Sequence, residues 1–126
     1  MTDRYPADVP GKRIAYFVSP HGFGHAARAA MVMEALVEIE SSLQFDTFTT
    51  EPDWFFANFH SFGYQYHRLE TDIGLIQKTP FQEDLPATVH KLKKFLPFKQ
   101  SRIAAVAEKI RDLKCKLVIC DIAPMG

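Results

Sequence analysis

Four short apolar segments, separated by stretches with helical spacing, make up the pattern of hydrophobic and polar positions along the chain. Residues 14–19 are apolar at almost every position, which is typical of a parallel strand covered on both faces. Residues 44–50 are rich in Phe and Thr, which favours a second strand. Two further segments, residues 64–69 and 116–122, predict a third and a fourth strand.

The segments between these strands predict helices. Residues 26–39 are rich in Ala, Met, Leu and Glu, and apolar positions surround most of the helix, so we expect it to be buried. Residues 52–59 predict a short aromatic helix, with Thr50 as its expected N-terminal cap. Residues 85–98 predict a third helix, and Ser101 is expected to cap a fourth, amphipathic one.

The resulting order is β-α-β-α-β-α-α-β, and this alternation calls for a parallel sheet with right-handed crossovers. We therefore predict an α/β fold, a Rossmann-like sheet with helices on both faces and the first strand between the second and the fourth. Residues 1–12 are polar and contain two prolines and a glycine. They are expected to form a flexible arm before a single domain over residues 13–126.

The composition is that of an ordinary globular protein. Of the 126 residues, 47% are hydrophobic, and 15 basic residues balance 15 acidic ones. Without a basic excess there is no electrostatic reason to expect nucleic-acid binding. No apolar run approaches the length of a membrane span, and the first residues lack the apolar core of a secretory signal, so we expect a cytoplasmic protein.

Both cysteines, Cys115 and Cys120, lie in the predicted fourth strand. At about 3.3 Å per residue, their Cα atoms would be roughly 16 Å apart, which is too far for a disulfide. We therefore expect two buried, free thiols in a reducing compartment.

The first strand runs into a loop with two histidines and two glycines, H-G-F-G-H over residues 21–25. A helix follows at once, so its N–H groups can face an anionic ligand. The glycines also fit the dinucleotide fingerprint G-x-G-x-x-A, with Glu51 as the nearest candidate for the ribose-binding acid. That fingerprint places its first glycine at the strand end, whereas three residues intervene here. A dinucleotide-binding oxidoreductase domain is therefore the less favoured interpretation.

His25 and Asp121 form the candidate catalytic pair. The positive end of a helix disfavours imidazolium, so a histidine in the first turn is suited to act as a base. Asp121 ends an otherwise apolar strand, and the carboxyl ends of the first and fourth strands are neighbours in the expected sheet. An aspartate there can orient the imidazole and stabilise its charged form. A purely structural role is the alternative, in which Asp121 caps loop amides and His25 packs.

The segment YFVSPHGFGHAAR, residues 16–28, resembles the loop after the first strand in the N-terminal half of GT-B glycosyltransferases. It is most similar to the glycosyltransferase-like domain also fused in front of plant arabinokinases. Residues 118–124 look like that domain's segment at the fourth strand, and residues 71–77 look like its loop. The resemblance covers nearly all of residues 13–126 and implies the N-terminal half of a GT-B architecture.

The resemblance implies transfer of a sugar from a nucleotide-sugar donor to a hydroxyl acceptor. By position, His25 would deprotonate the acceptor hydroxyl and Asp121 would support it, without a cofactor. The loop expected to face the donor phosphates comprises His21, Gly22, Phe23, Gly24 and Arg28. Arg28 could pair with a phosphate or with Asp121.

Acceptor contacts are expected from Trp54, as a stacking surface, and from Asp72 and Gln77. The latter two lie in a long predicted loop over residues 70–86, and long loops in compact domains are often functional. His21 and His25 are four residues apart, but no cluster of Cys, Asp or Glu accompanies them, so we expect no metal site.

A second domain carries most of the donor site in GT-B enzymes, so we expect this chain to be inactive alone. The predicted fourth strand would also present an uncovered apolar edge. We therefore expect either a missing C-terminal domain or self-association through this edge. The alternative function is a non-catalytic module that binds a sugar nucleotide or regulates a partner enzyme.

Overall fold

The computed structural model describes residues 12–59 and 61–126 of the chain. Alternating strands and helices form an α/β fold. In chain order, the elements are β1 (Lys12–Val18), α1 (Phe23–Ile39), β2 (Leu43–Thr49), α2 (Asp53–Ala57), β3 (Gly63–Arg68), β4 (Gln77–Thr79), β5 (Gln82–Glu83), α3 (Leu85–Phe95), α4 (Gln100–Asp112) and β6 (Cys115–Asp121).

The main sheet has four parallel strands in the order β3-β2-β1-β6. This is the predicted Rossmann-like arrangement, with the first strand between the second and the last long one. The register aligns Val18, the last residue of β1, with Asp121, the last residue of β6. The loops that follow both strands therefore leave the sheet side by side.

Helices cover both faces of the sheet. The side chains of β1 point alternately to the two faces, so they contribute to two hydrophobic cores. Ile14, Tyr16 and Val18 face α1 and pack with its small buried residues, which include Ala26 and Ala30. The other face carries Ala15, Phe17 and Phe48, packed against the α4 residues Val106 and Ile110 and the adjacent Leu113. Strand β1 is thus buried on both faces, as its continuous apolar sequence predicts.

Helix α1 differs from its prediction in two respects. It begins at Phe23, three residues earlier than expected, so Gly24 and His25 belong to its first turn. It is also not buried all round, because Met31 is 62% and Ile39 84% exposed. Only one face of the helix contacts the sheet, since a helix in an outer layer has its opposite face in solvent.

Two predicted helix caps are wrong. Pro52, rather than Thr50, precedes α2, and no side chain caps that helix. Lys99, rather than Ser101, precedes α4, again without a side-chain cap. The long predicted loop is also more ordered than expected, since it contains the antiparallel hairpin of β4 and β5.

The predicted N-terminal arm lies outside the described residues except for Lys12. Lys12 begins β1 instead, and its Nζ atom lies 2.7 Å from Oε2 of Glu40.

Strand β6 forms one edge of the described sheet, where β1 is its neighbour. Its apolar side chains are open to solvent, with Leu117 53% and Val118 40% exposed. The uncovered apolar edge expected at the fourth strand is therefore present in this part of the chain. Both cysteines are free, as expected, but Cys120 is exposed rather than buried, because it lies on the same uncovered strand.

Within the described ranges, every helix is too short or too polar to cross a membrane.

Candidate functional site

The candidate site lies where β1 and β6 end together. The backbone N–H of Ser19 donates a 3.2 Å hydrogen bond to the carbonyl of Asp121, which holds the two strand ends together. After Asp121, Ile122 has a φ of 43°, a conformation that β-branched residues rarely adopt. The sheet thus ends in a sharp turn directly beside the start of α1.

His25 and Asp121 are in contact, although 96 positions separate them in the chain. Nδ1 of His25 lies 3.1 Å from Oδ1 of Asp121. The His25 side chain is 22% exposed and that of Asp121 is 6% exposed. Nδ1 of the imidazole therefore contacts the carboxylate of Asp121, and Nε2 can contact a different partner.

Arg28 shares the same carboxylate. Its Nε donates a 2.8 Å hydrogen bond to Oδ2 of Asp121, and its Nη2 contacts Oδ1. Nη2 also lies 3.1 Å from Nδ1 of His25. Hydrogen bonds from Arg28, assisted by that from His25, hold the pKa of Asp121 below its usual value despite the opposing effect of burial. Asp121 is therefore a stable anion at neutral pH.

The start of α1 is uncapped. Gly22 occupies the N-cap position, no side chain bonds the first N–H groups, and no acidic residue lies in the first turn. Gly22 has a φ of 75°, so glycine is required there, whereas Gly24 has an ordinary helical backbone. A side chain at either position would meet open space, which leaves room for an anion at the helix end.

An aromatic cluster borders this opening. Phe23 is 49% exposed and its ring centroid lies 5.7 Å from that of Trp54 and 5.5 Å from that of Phe55. Trp54 is itself 59% exposed. The predicted stacking residue Trp54 is therefore close to the loop and open to solvent.

The segment of residues 71–74 crosses the strand ends. The Thr71 hydroxyl donates a 2.6 Å hydrogen bond to the carbonyl of Val18. Ser19 Oγ donates a 3.2 Å hydrogen bond to Oδ2 of Asp72. Gly74, with a φ of 62°, lies so close to the His21 ring that any side chain there would collide with it. Asp72 and His21 are thus placed beside the loop after β1.

Gln77 does not join this group. It lies in β4, is exposed and pairs with Glu83 across the hairpin. Its role as an acceptor contact therefore stays a prediction, because β4 and β5 form a two-stranded sheet separate from the main one.

Glu51 is a site residue that the sequence prediction considered only for dinucleotide binding. It is 6% exposed and lies just after β2. Burial raises the pKa of its carboxyl group above the usual value. None of the hydrogen bonds among the described residues is made by its carboxylate. The detectable signal in the sequence is an acid close to the end of an apolar strand, since Glu51 lies two residues beyond β2 and Asp121 is the last residue of β6.

Residues 12–59 and 61–126 contain no group of three or more His, Cys, Asp or Glu side chains arranged to hold a metal ion. The polar groups around the strand ends are the imidazoles of His21 and His25, the carboxylates of Glu51, Asp72 and Asp121, and the guanidinium of Arg28.

Comparison of the chain with protein-family models, with curated proteins and with solved structures finds no match.

Proposed function

We propose that this domain takes part in glycosyl transfer from a nucleotide-sugar donor to a hydroxyl acceptor, with His25 as the base. The observation that carries the proposal is the 3.1 Å contact between Nδ1 of His25 and Oδ1 of Asp121 beside the uncapped start of α1. A base held by a carboxylate and an anion site within one helical turn are the two elements that such a transfer needs. The resemblance of residues 16–28 to GT-B enzymes supports the same interpretation.

In the proposed step, Nε2 of His25 accepts the proton of the acceptor hydroxyl. The acceptor oxygen forms a bond to the anomeric carbon as the bond between that carbon and the diphosphate oxygen breaks. The proton remains on the imidazolium, which Asp121 stabilises, and the electron pair leaves with the nucleoside diphosphate. Positioned general bases of this kind accelerate reactions by about 10²–10⁴-fold.

The start of α1 is the proposed contact for the leaving diphosphate. Its first N–H groups have no capping side chain, and the space over Gly22 and Gly24 is open. The negative charge that develops on the leaving group would be stabilised by these dipoles. Arg28 can contribute in the same region because its side chain is 57% exposed.

The proposed acceptor pocket lies between the aromatic cluster and segment 71–74. Trp54 offers an exposed ring for stacking on a sugar or an aromatic acceptor. Asp72 and Glu51 offer carboxylates that accept hydrogen bonds from hydroxyl groups. Glu51 is 6% exposed and its carboxylate makes none of the hydrogen bonds among the described residues, so it is free to accept one from a ligand hydroxyl.

A second domain, or another protein, is proposed to hold the rest of the donor. The exposed edge of β6, with Leu117 and Val118 in solvent, supports a partner at this edge. The free thiols of Cys115 and Cys120 favour a reducing, cytoplasmic setting.

The alternative function is a binding module without catalysis, and one observation favours it. Arg28 occupies both oxygens of Asp121 and also approaches Nδ1 of His25. If Nδ1 accepts from Arg28, it cannot donate to Asp121, and His25 then loses the tautomer that a base at Nε2 requires. A domain in this state would bind a phosphate-bearing ligand without activating a hydroxyl.

Calorimetric titration of the chain with UDP-glucose, GDP-mannose and NAD distinguishes the transferase and the sugar-nucleotide module from a dinucleotide-binding domain. We expect heat from a nucleotide sugar and none from NAD. Binding of NAD alone would contradict both the transferase and the sugar-nucleotide module.

Catalysis is tested by donor hydrolysis or transfer, measured with any C-terminal donor domain present. We expect His25→Ala to lower the rate by about 10²–10⁴-fold, because it removes the base. His90→Ala is the matched control, since it removes an exposed imidazole from α3, outside the site. Equal rates for the two variants would contradict the role of His25 as the base and favour the non-catalytic binding module.

A further inference from the structure

A separate surface, far along the chain from the site, concentrates positive charge. Residues 85–107 contain four lysines and one arginine but no acidic residue, although the whole chain has 15 of each sign. The cations are Lys91, Lys93, Lys94, Lys99 and Arg102. No ion pair is formed by these four lysines among the described residues, so their charges are available to an external partner.

The same segment carries exposed apolar side chains along one side of α3. Leu85, Val89 and Leu92 recur at spacings of four and three residues and therefore share one helical stripe. They are 61%, 49% and 41% exposed. The helix contacts the rest of the protein through a different side, where Phe95 is 5% exposed. The stripe is thus a solvent-facing surface, not the buried face of the helix.

The hairpin before α3 extends this stripe. Phe81, at its tip, is 97% exposed. The hairpin is tied to the helix, because Asp84 N–H donates to the carbonyl of Ile76 at 2.7 Å and Ile76 N–H donates to Thr88 Oγ1 at 2.9 Å. Phe81 and the α3 stripe therefore belong to one connected unit.

A cavity of about 410 Å³ lies at the corner between α3 and α4. Its lining combines four apolar residues, over positions 95–98, with four cations: Lys93, Lys94, Lys99 and Arg102. Arg102 is fixed there by a 3.1 Å hydrogen bond to the carbonyl of Glu70 and by its position over the Phe95 ring, 5.7 Å from the centroid. A cavity with this lining suits a phosphate group.

We propose that this surface, formed by Phe81, the stripe of α3 and the cationic corner, binds an anionic phospholipid membrane peripherally. The aliphatic and aromatic side chains enter the interface, while the lysines extend to lipid phosphates. A helical protein partner would need a groove lined by apolar side chains. Four of the eight residues that line the cavity at this corner are cations, and residues 85–107 contain no acidic residue, so charge complementarity favours the lipid surface.

The test is co-flotation of the whole chain with vesicles of phosphatidylcholine alone and of phosphatidylcholine mixed with phosphatidylglycerol. We expect binding to the anionic vesicles only, and weaker binding as salt is added. The double variant Lys93→Gln/Lys94→Gln should lower the partition coefficient roughly 30-fold, since each lysine near an anionic surface contributes about 1 kcal/mol, or fivefold. Val89→Ser/Leu92→Ser should lower it by about tenfold or more without a change in charge.

Matched controls distinguish binding through the proposed surface from nonspecific electrostatic attraction between the whole protein and the vesicles. Lys109→Gln/Lys116→Gln removes the same charge from outside the surface and should retain most of the binding. Phe81→Trp in a Trp54→Phe background should give a blue-shifted fluorescence maximum with anionic vesicles. The proposal is overturned by absence of binding to anionic vesicles, by equal losses in the two lysine pairs, or by full binding of Val89→Ser/Leu92→Ser. Capture of an acidic helical peptide without vesicle binding would overturn it in favour of a protein partner.

Discussion

Arg28 and Asp121 form a direct ion pair in which Nε of Arg28 donates a 2.8 Å hydrogen bond to Oδ2 of Asp121. The carboxylate that contacts His25 is therefore also the partner of a cation from the next turn of α1. Asp121 therefore makes two kinds of contact, because its carboxylate links α1 to the end of β6 and also lies against Nδ1 of His25.

The first prediction follows from the low pKa of Asp121. Arg28 lowers this pKa relative to the unfolded chain, so the carboxylate stabilises the fold above the unfolded value of about 4 and loses this effect as the pH falls through the folded value. Asp121→Asn should therefore lower the free energy of unfolding at neutral pH, and the difference from the wild type should shrink in acid. Urea unfolding over this pH range measures it. A difference that grows in acid would contradict the ion pair.

The second prediction contrasts the two loop glycines. Gly22→Ala should destabilise the protein by about 1–3 kcal/mol, because alanine resists the positive φ at that position. Gly24→Ala should instead stabilise it by up to about 1 kcal/mol, because the position is helical and unobstructed. Urea unfolding compares the two variants. Nucleotide-sugar binding should weaken in both if phosphates approach this loop, and unchanged affinity in Gly24→Ala would place the ligand elsewhere.

The third prediction concerns a buried carboxylate on the α4 face of the sheet. Asp46 has no exposed side-chain surface, and it accepts hydrogen bonds from Arg13 at 2.7 Å and from His67 at 2.9 Å. Burial opposes ionisation, but these hydrogen bonds keep its pKa below the usual value. Asp46→Ala should cost about 3–5 kcal/mol of stability, because it leaves Arg13 buried without its partner.

Asp112→Asn is the control for this effect, since Asp112 is exposed at the end of α4. Its stability should remain within about 0.5 kcal/mol of the wild type. A cost of similar size in both variants would mean that the Asp46 network adds nothing beyond general charge effects.

The fourth prediction concerns Glu51. Because burial raises its pKa in the folded chain, its contribution to stability is complete below the unfolded value of about 4.3 and is lost as the pH rises through the folded value. Glu51→Gln should therefore be neutral or stabilising at neutral pH while weakening acceptor binding. Thermal unfolding and ligand titration check the two effects. A destabilised Glu51→Gln would indicate a structural role for the carboxylate.

The fifth prediction concerns the two thiols. Burial and the charge of Asp46 raise the pKa of Cys115 to about 12, whereas Cys120 is exposed. Iodoacetamide at mildly alkaline pH should therefore modify Cys120 first, because the thiolate is the reactive form. Mass spectrometry of partially labelled protein identifies the site. Faster labelling of Cys115 would contradict the buried contact with Asp46.

Local sequence was sufficient for the secondary structure wherever one signal dominated. The continuous apolar run of β1 and the alanine-rich α1 could be predicted because strand burial and helix propensity are properties of neighbouring residues. The caps could not be predicted in the same way. Thr50 and Ser101 are good capping residues, but the start of a helix also depends on where the preceding chain leaves the sheet.

The sequence by itself determined the parallel α/β order and identified His25, Asp121 and the glycine loop, because each carries a local signal. Only the tertiary structure decided that Arg28 shares the carboxylate of Asp121, that Glu51 is buried and that Gln77 lies in a separate hairpin. The exposure of one side of α3 was likewise decided by packing. Each of these outcomes depends on distances between residues far apart in the chain, and no periodicity or spacing encodes those distances.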